Sequence, residues 1–243
     1  MWNLGERLTE ATGERERRGG GEVVLAVGAH PDDVELGCGA TLARHVAAGD
    51  RVVLLVVADG ARGSGADAAT RKREQLAAAS VLGVDVSWLG LPDGQVGDSP
   101  AGLIEAIEAV VRMVGPSIVY THSPQDSHQD HRATAAATLS ASRNVARVLH
   151  FESPTTSGFV PTVFTDVEEY VTPKLMALSA HASQVAHSRR VDLEAVEALM
   201  RYRGFQGGVT HAESFVPHRF VWDAAHPEGA LDRALGAWDE IAL

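Results

Sequence analysis

Cys38 is the only cysteine in the chain, so no intrachain disulfide can form. That fits a reducing compartment, where structural disulfides are rare. No apolar run approaches the roughly 20 residues that a membrane helix needs. Residues 1–21 are polar, carry Arg15, Arg17 and Arg18, and lack the apolar centre of a secretory signal. Cations are scarce too: 21 Lys and Arg face 32 Asp and Glu, a formal net charge of −11. Nucleic acid and anionic membrane surfaces reward a basic face, so neither is an expected partner. The expectation is a cytoplasmic protein with no membrane insertion. It is silent on the substrate, and it leaves assembly into a homo-oligomer open.

What the chain has is enough length, 243 residues, and enough apolar content, 45%, for one large α/β domain. Residues 23–27 form a short continuous apolar run before Gly28, the mark of a strand buried in a parallel sheet. Further strands are predicted over 51–58, 84–89, 117–121 and 147–151. Helices are predicted between them, over 37–48, 71–82, 100–114 and 131–144. Gly49 and Gly83 stop the first two, and Pro100 suits a first helical turn. This alternation implies right-handed βαβ units and a mostly parallel sheet flanked by helices.

Beyond Phe151 the rhythm loosens into a C-terminal elaboration. Residues 153–161 read as a loop, 163–167 as a strand, 174–187 and 193–202 as helices, and 231–241 as a short amphipathic helix. Residues 1–20 read as a polar leader, with a short helix over 3–10, joined to the first strand by Gly19-Gly20-Gly21. Residues 59–69, rich in Gly, Ala and Asp, read as a mobile loop. No linker or repeat divides 1–243, so one domain is expected.

The chemistry gathers at two strand ends. Ala29-His30-Pro31-Asp32-Asp33 follows the first strand, and ligands of α/β sheets bind just beyond the carboxyl ends of strands. Pro31 restricts its own φ and pushes His30 toward an extended conformation, which stiffens the turn. The bland alternative is a loop whose Asp32 or Asp33 caps a helix. The stretch 122–131, HSPQDSHQDH, follows the fourth predicted strand with three histidines and two aspartates. His128 and His131 are three apart, as are His30 and Asp33. Both clusters should open onto the same rim of the sheet. His and carboxylate ligands that leave one position open for water are what a catalytic zinc site needs. A spare carboxylate can take that water's proton, and a spare imidazole can stabilise an oxyanion or protonate a leaving amine. Spacing alone does not assign which histidine does which.

These residues resemble a known family, the zinc-dependent N-acetylglucosamine deacetylases of the LmbE/PIG-L type, which includes the mycothiol and bacillithiol pathway deacetylases. The resemblance is carried by AHPDD at 29–33 and HQDH at 128–131, supported by RKRE at 71–74, LPDG at 91–94 and HASQ at 181–184. It runs from Val23 to the AESF stretch at 212–215. It implies a Rossmann-like sheet, with His30, Asp33 and His131 as ligands of Zn2+. It also implies Asp32 as general base and His128 as the imidazole that stabilises the oxyanion and helps the amine leave. Asp130 would orient His128, and Arg71 and Asp93 would hold sugar hydroxyls. The implied substrate is a small N-acetylated amino sugar. Val34 stands directly after HPDD, where family members often carry an acidic residue, which leaves the subfamily open.

Other readings remain beside this one. Arg71 with Lys72 and Arg73 also reads as a solvated helix start, and Asp93 as an ordinary turn residue. Asp126 reads as a partner of a metal-bound histidine or as a loop cap. His181 and His211 read as core or rim residues. The same donors suit iron or another divalent ion. A metal phosphohydrolase is one rival; its His-Asp order and helical setting differ from Asp130-His131 at a strand end. A non-catalytic sugar- or nucleotide-binding module is the other, although Gly37-Cys38-Gly39 lacks the third glycine of a dinucleotide fingerprint.

Overall fold

Five apolar runs become five parallel strands because each is flanked by a helix long enough to carry the chain back. The computed structural model describes residues 21–62, 65–187 and 191–222, the side chains of 186 and 187 excepted. Strands β1 (Val23–Gly28), β2 (Arg51–Ala58), β3 (Asp85–Leu91), β4 (Ile118–His122) and β5 (Arg147–Phe151) alternate with helices α1 (Asp33–Ala47), α2 (Ala68–Leu82), α3 (Pro100–Val114) and α4 (Gln129–Ala141). There follow β6 (Val163–Asp166), α5 (Val171–Ala180), α6 (Ala182–His187), α7 (Leu193–Gly207) and β7 (Ala212–Phe220). The expected leader and its helix, the 231–241 helix and part of the 59–69 loop lie outside the described residues.

All seven strands make one sheet in the order β3-β2-β1-β4-β5-β7-β6, parallel from β3 to β5, with β7 antiparallel to both β5 and β6. This order places the site. The chain steps outward from β1 to β2 and β3, then returns to start β4 on the other side of β1. The loops after β1 and β4 therefore face each other at the reversal point, where such sheets open a crevice.

Alternate side chains of β1 enter opposite cores. Val24 and Ala26 pack with Val34, Leu42 and Leu82 of α1 and α2, and with Ala177 of α5. Leu25 and Val27 pack with Leu103, Ile107 and Val110 of α3 and Ala137 of α4. Burial on both faces explains why these strands are continuously apolar. Among the described residues no helix is long and apolar enough to cross a membrane.

The structure departs from expectation in three places. Helix α1 begins at Asp33, four residues before the expected 37, because the HPDD turn leads straight into it; Cys38 marks a kink within it. The helix expected over 174–187 is broken at His181, whose ψ of 56° is not helical. Strand β7 has no counterpart in the sequence pattern, since Pro217 argues against a strand interior. Pro217 is accommodated opposite Leu149, where the β5–β7 register shifts.

Candidate metal centre and active site

The turn after β1 is built around an unusual backbone. Asp32 has φ 97°, the only positive value among the described non-glycine residues. Helix α2 holds this turn from beneath with two side chains one helical turn apart. Gln75, fully buried, accepts the Asp32 N–H at 3.2 Å and donates to Glu35. Arg71 donates to the Pro31 carbonyl and lies 3.3 Å from the Asp32 carboxylate. Gly60 closes the other side: a Cβ there would come within 2.8 Å of the Pro31 ring. Strain kept in place by this many contacts is typical of functional turns. Burial and the neighbouring Asp33 carboxylate raise the Asp32 pKa to about 6, against the pull of Arg71, His181 and His30.

Asp33 is the hub. Its Oδ2 accepts the His30 backbone N–H at 2.7 Å and lies 3.2 Å from His30 Nδ1. Its Oδ1 lies 3.3 Å from Nε2 of His131, on the first turn of α4. Burial favours its protonated form, but His131 and His122 outweigh burial and hold its pKa well below the ordinary range.

Both imidazoles are backed by carboxylates. His30 Nε2 lies 3.2 Å from Asp130 and 3.3 Å from Asp93. His131 Nδ1 lies 3.1 Å from Asp126, whose carboxylate also accepts from Ser153 Oγ at 2.7 Å and from the His128 N–H at 2.8 Å. Burial disfavours the His131 cation, yet Asp33 and Asp126 outweigh it and raise the pKa to about 9. His30 is likewise raised, with burial opposed by Asp130, Asp33 and Asp93.

A divalent ion suits this arrangement. A carboxylate facing one nitrogen of each ring, with a second carboxylate on the far nitrogen, is the pattern that orients metal-bound histidines. Nitrogen–oxygen separations of 3.2 and 3.3 Å are those of donors sharing one ion at bonds of about 2.1 Å. Ring nitrogens of His30, His128 and His131 also lie within 4.8 Å of one another. Two other donor groups overlap this one: Asp33 with His122 and His131, and His30 with Asp93 and Asp130. His122 is the weaker donor, because its Nε2 already accepts the Ala29 N–H at 3.0 Å and the lone pair is spent there. Asp93 and Asp130 accept the Arg62 and Gly94 N–H groups and face the far nitrogen of His30.

His128 caps α4. Its Nδ1 accepts the Asp130 N–H at 3.2 Å, which leaves the proton of the neutral ring on Nε2. Burial, His131 and His30 lower its pKa, so the ring is neutral at pH 7. It stacks on His131 with centroids 4.5 Å apart.

Residues 25–142 match the family model described as PIG-L, GlcNAc-PI de-N-acetylase. Over 169 residues the chain is 39% identical to the uncharacterized deacetylase YaiS of Escherichia coli, a match covering 66% of this chain and 90% of that protein. The chain belongs to the PIG-L/LmbE deacetylase family. Another family member, the 1D-myo-inositol 2-acetamido-2-deoxy-alpha-D-glucopyranoside deacetylase of Kineococcus radiotolerans, is 30% identical, covering 73% of this chain and 72% of that protein. The conserved protein TT1542 from Thermus thermophilus superposes with a TM-score of 0.75 at 29% identity, over 85% of this chain and 99% of that one.

The structure brings together His30, Asp32, Asp33, Arg71, Asp93, His128, Asp130 and His131, all eight residues singled out in the sequence. Three details differ from expectation. The Asp130 carboxylate serves His30 rather than His128, because the first turn of α4 aims it back at the β1 loop. Arg71 is buried beneath the HPDD turn, not solvated, and the Asp93 carboxylate faces His30. Sequence reasoning gave no role to His122, Gln75, Glu35 or His181. The position of His122 at a strand end, beside two more histidines, and the place of His181 in the HASQ stretch carried the only signals.

Proposed function

We propose that this chain is a metal-dependent N-deacetylase that releases acetate, or a related acyl group, from the amine of a small N-acetylated amino sugar. The observation that supports it most is the convergence of His30, Asp33 and His131, each ring backed by its own carboxylate, beside the buried carboxylate of Asp32. His30, Asp33 and His131 are the proposed ligands. A bound divalent ion, Zn2+ by the family's default, would supply a water of lowered pKa and a Lewis acid for the amide oxygen.

The chain's own groups do the rest. Asp32, held by Gln75 and Arg71, takes the proton of the attacking water. His128 donates its Nε2–H to the tetrahedral oxyanion. Because His128 is neutral, the proton that reaches the departing nitrogen is the one held on Asp32. The C–N bond then breaks, giving the carboxylic acid product and a free amine. Asp130 and Asp126 hold His30 and His131 in orientation. Asp93, whose carboxylate faces His30, would meet sugar hydroxyls by charge-assisted hydrogen bonds, while Arg71, buried beneath the HPDD turn, holds Pro31 and Asp32 in place. The names of the Kineococcus relative and of the family model, both N-acetylglucosamine deacetylases, support this substrate class.

The test is to remove metal with a chelator, restore it, and follow acetate release from N-acetylglucosamine conjugates. Loss on chelation and recovery with zinc are expected. Full activity in metal-free protein would refute the proposal.

A further inference from the structure

A cavity of about 260 Å³ reaches Leu36, just after the HPDD turn, and Ser153, just after β5. Its walls come from the first turn of α1, the segment after β5, helix α7 and strand β7. Two wall residues tie it to the reaction centre. Leu36 stands one helical turn from Asp33, close enough for side chains to be neighbours. Ser153 donates to Asp126, which holds His131.

The chemistry of the walls is one-sided. Val196, Leu199 and Met200 of α7 join Leu36 in an apolar surface. Four of the five charged side chains that reach the cavity are paired with one another, and the fifth, Asp192, accepts the Glu194 and Ala195 N–H groups at the start of α7. Lys174 meets Glu213 at 2.6 Å, and Arg203 holds Glu152 through two bonds of 2.7 Å. A sugar ring buried here would give up water and find few free partners for its hydroxyls. An alkyl chain needs no partners.

From this the geometry points to an acyl-chain subsite: the cavity takes the hydrocarbon of an N-acyl group longer than acetyl. This rests on the deacetylase reading above. With the sugar at Asp93, the acyl group extends across the cluster toward β5, β7 and α7. The enzyme then prefers substrates whose amine carries a short fatty acyl chain. The reaction is otherwise the same: water adds, the C–N bond breaks, and a fatty acid leaves in place of acetate.

The test is a series of glucosamine methyl glycosides, N-acetyl through N-octanoyl, with amine release as readout and zinc present. Each buried methylene should raise kcat/KM about three- to fourfold until the cavity is full. Leu199→Trp, at a partly exposed wall position, should abolish that gain and leave the acetyl rate within about twofold. Leu199→Phe, a smaller change, is the second variant should the first fail to fold, and it should shorten the preferred chain. Hexanoate should inhibit at least tenfold more strongly than acetate. Cleavage of the acetyl member with none of the longer ones overturns the subsite and leaves deacetylation standing. A gain that follows the length of an alkyl aglycone, not of the acyl group, also overturns it. Release of no acyl group at any length overturns both readings.

Discussion

Asp32 sits at φ 97° with its carboxylate buried, next to a second carboxylate. Its pKa of about 6 lies above that of an unfolded aspartate, so between those values the folded protein holds the proton more tightly than the unfolded chain does. The sign follows: in metal-free protein this group lowers stability as pH rises through that window, and the loss is complete above it. Asp32→Asn cannot ionise. It should therefore gain about 1–3 kcal/mol over the parent at pH 8 in the chelated protein, and nothing near pH 3, by urea unfolding at each pH. The same variant should lose about 10²- to 10⁴-fold in kcat with metal restored. Asp126 acts one bond further out. Asp126→Ala removes the acceptor behind His131 and should weaken metal affinity about 10- to 100-fold, read by competition with a chelator. Activity at saturating metal should fall much less.

Among the elements, α2 decides whether the HPDD turn keeps its shape. Its sequence reads as a helix with a charged, solvated start, yet Arg71 and Gln75 project inward from it and grip residues 31 and 32. Gln75→Leu leaves the Asp32 N–H and the Glu35 carboxylate without partners in a dry interior. A drop in kcat of about a hundredfold is expected, since small misplacements of a catalytic group have effects of that size. KM should hardly move, and Gln75→Glu, which keeps an acceptor for the Asp32 N–H, should restore part of the rate. Gly60→Ala attacks the same turn from the opposite side. Gly60 has φ 66°, and an added methyl would press on Pro31. About 1–3 kcal/mol of stability should go, measured by thermal or urea unfolding.

At the scale of the whole molecule, the C-terminal elaboration is joined to the βαβ half by a buried ion pair. Lys174 of α5 donates to the Leu36 carbonyl and to Glu213 of β7, while Glu213 accepts from the Ala40 and Thr41 N–H groups inside α1. Three elements far apart in the chain thus meet at one carboxylate. Lys174→Met should cost about 3–5 kcal/mol, because a charge is left buried without its partner. The double variant with Glu213→Gln should recover part of that loss, and urea unfolding measures both. The proposed metal would act at this scale too, since His30, Asp33 and His131 come from loops about a hundred residues apart. Zinc at a thousandfold its Kd should add about 4 kcal/mol to the free energy of unfolding. Melting temperature followed against zinc concentration checks this.

The parallel strands and their helices were legible because burial on both faces demands continuous apolar runs, and Gly and Pro mark where helices stop and start. The motif residues were legible because His and Asp crowd strand ends only where something holds them. Local patterns carry no information about partners distant in the chain. Nothing near Asp130 in the sequence says that it faces His30 rather than His128, or that Arg71 is buried. The break at His181, strand β7 with its Pro217, the Lys174–Glu213 pair and the apolar cavity beside α7 all arise from long-range packing. The residue types and their periodicity were thus enough for the class of fold and the kind of chemistry. The strand order, by turning two loops toward each other across β1 and β4, decided which side chains share the site.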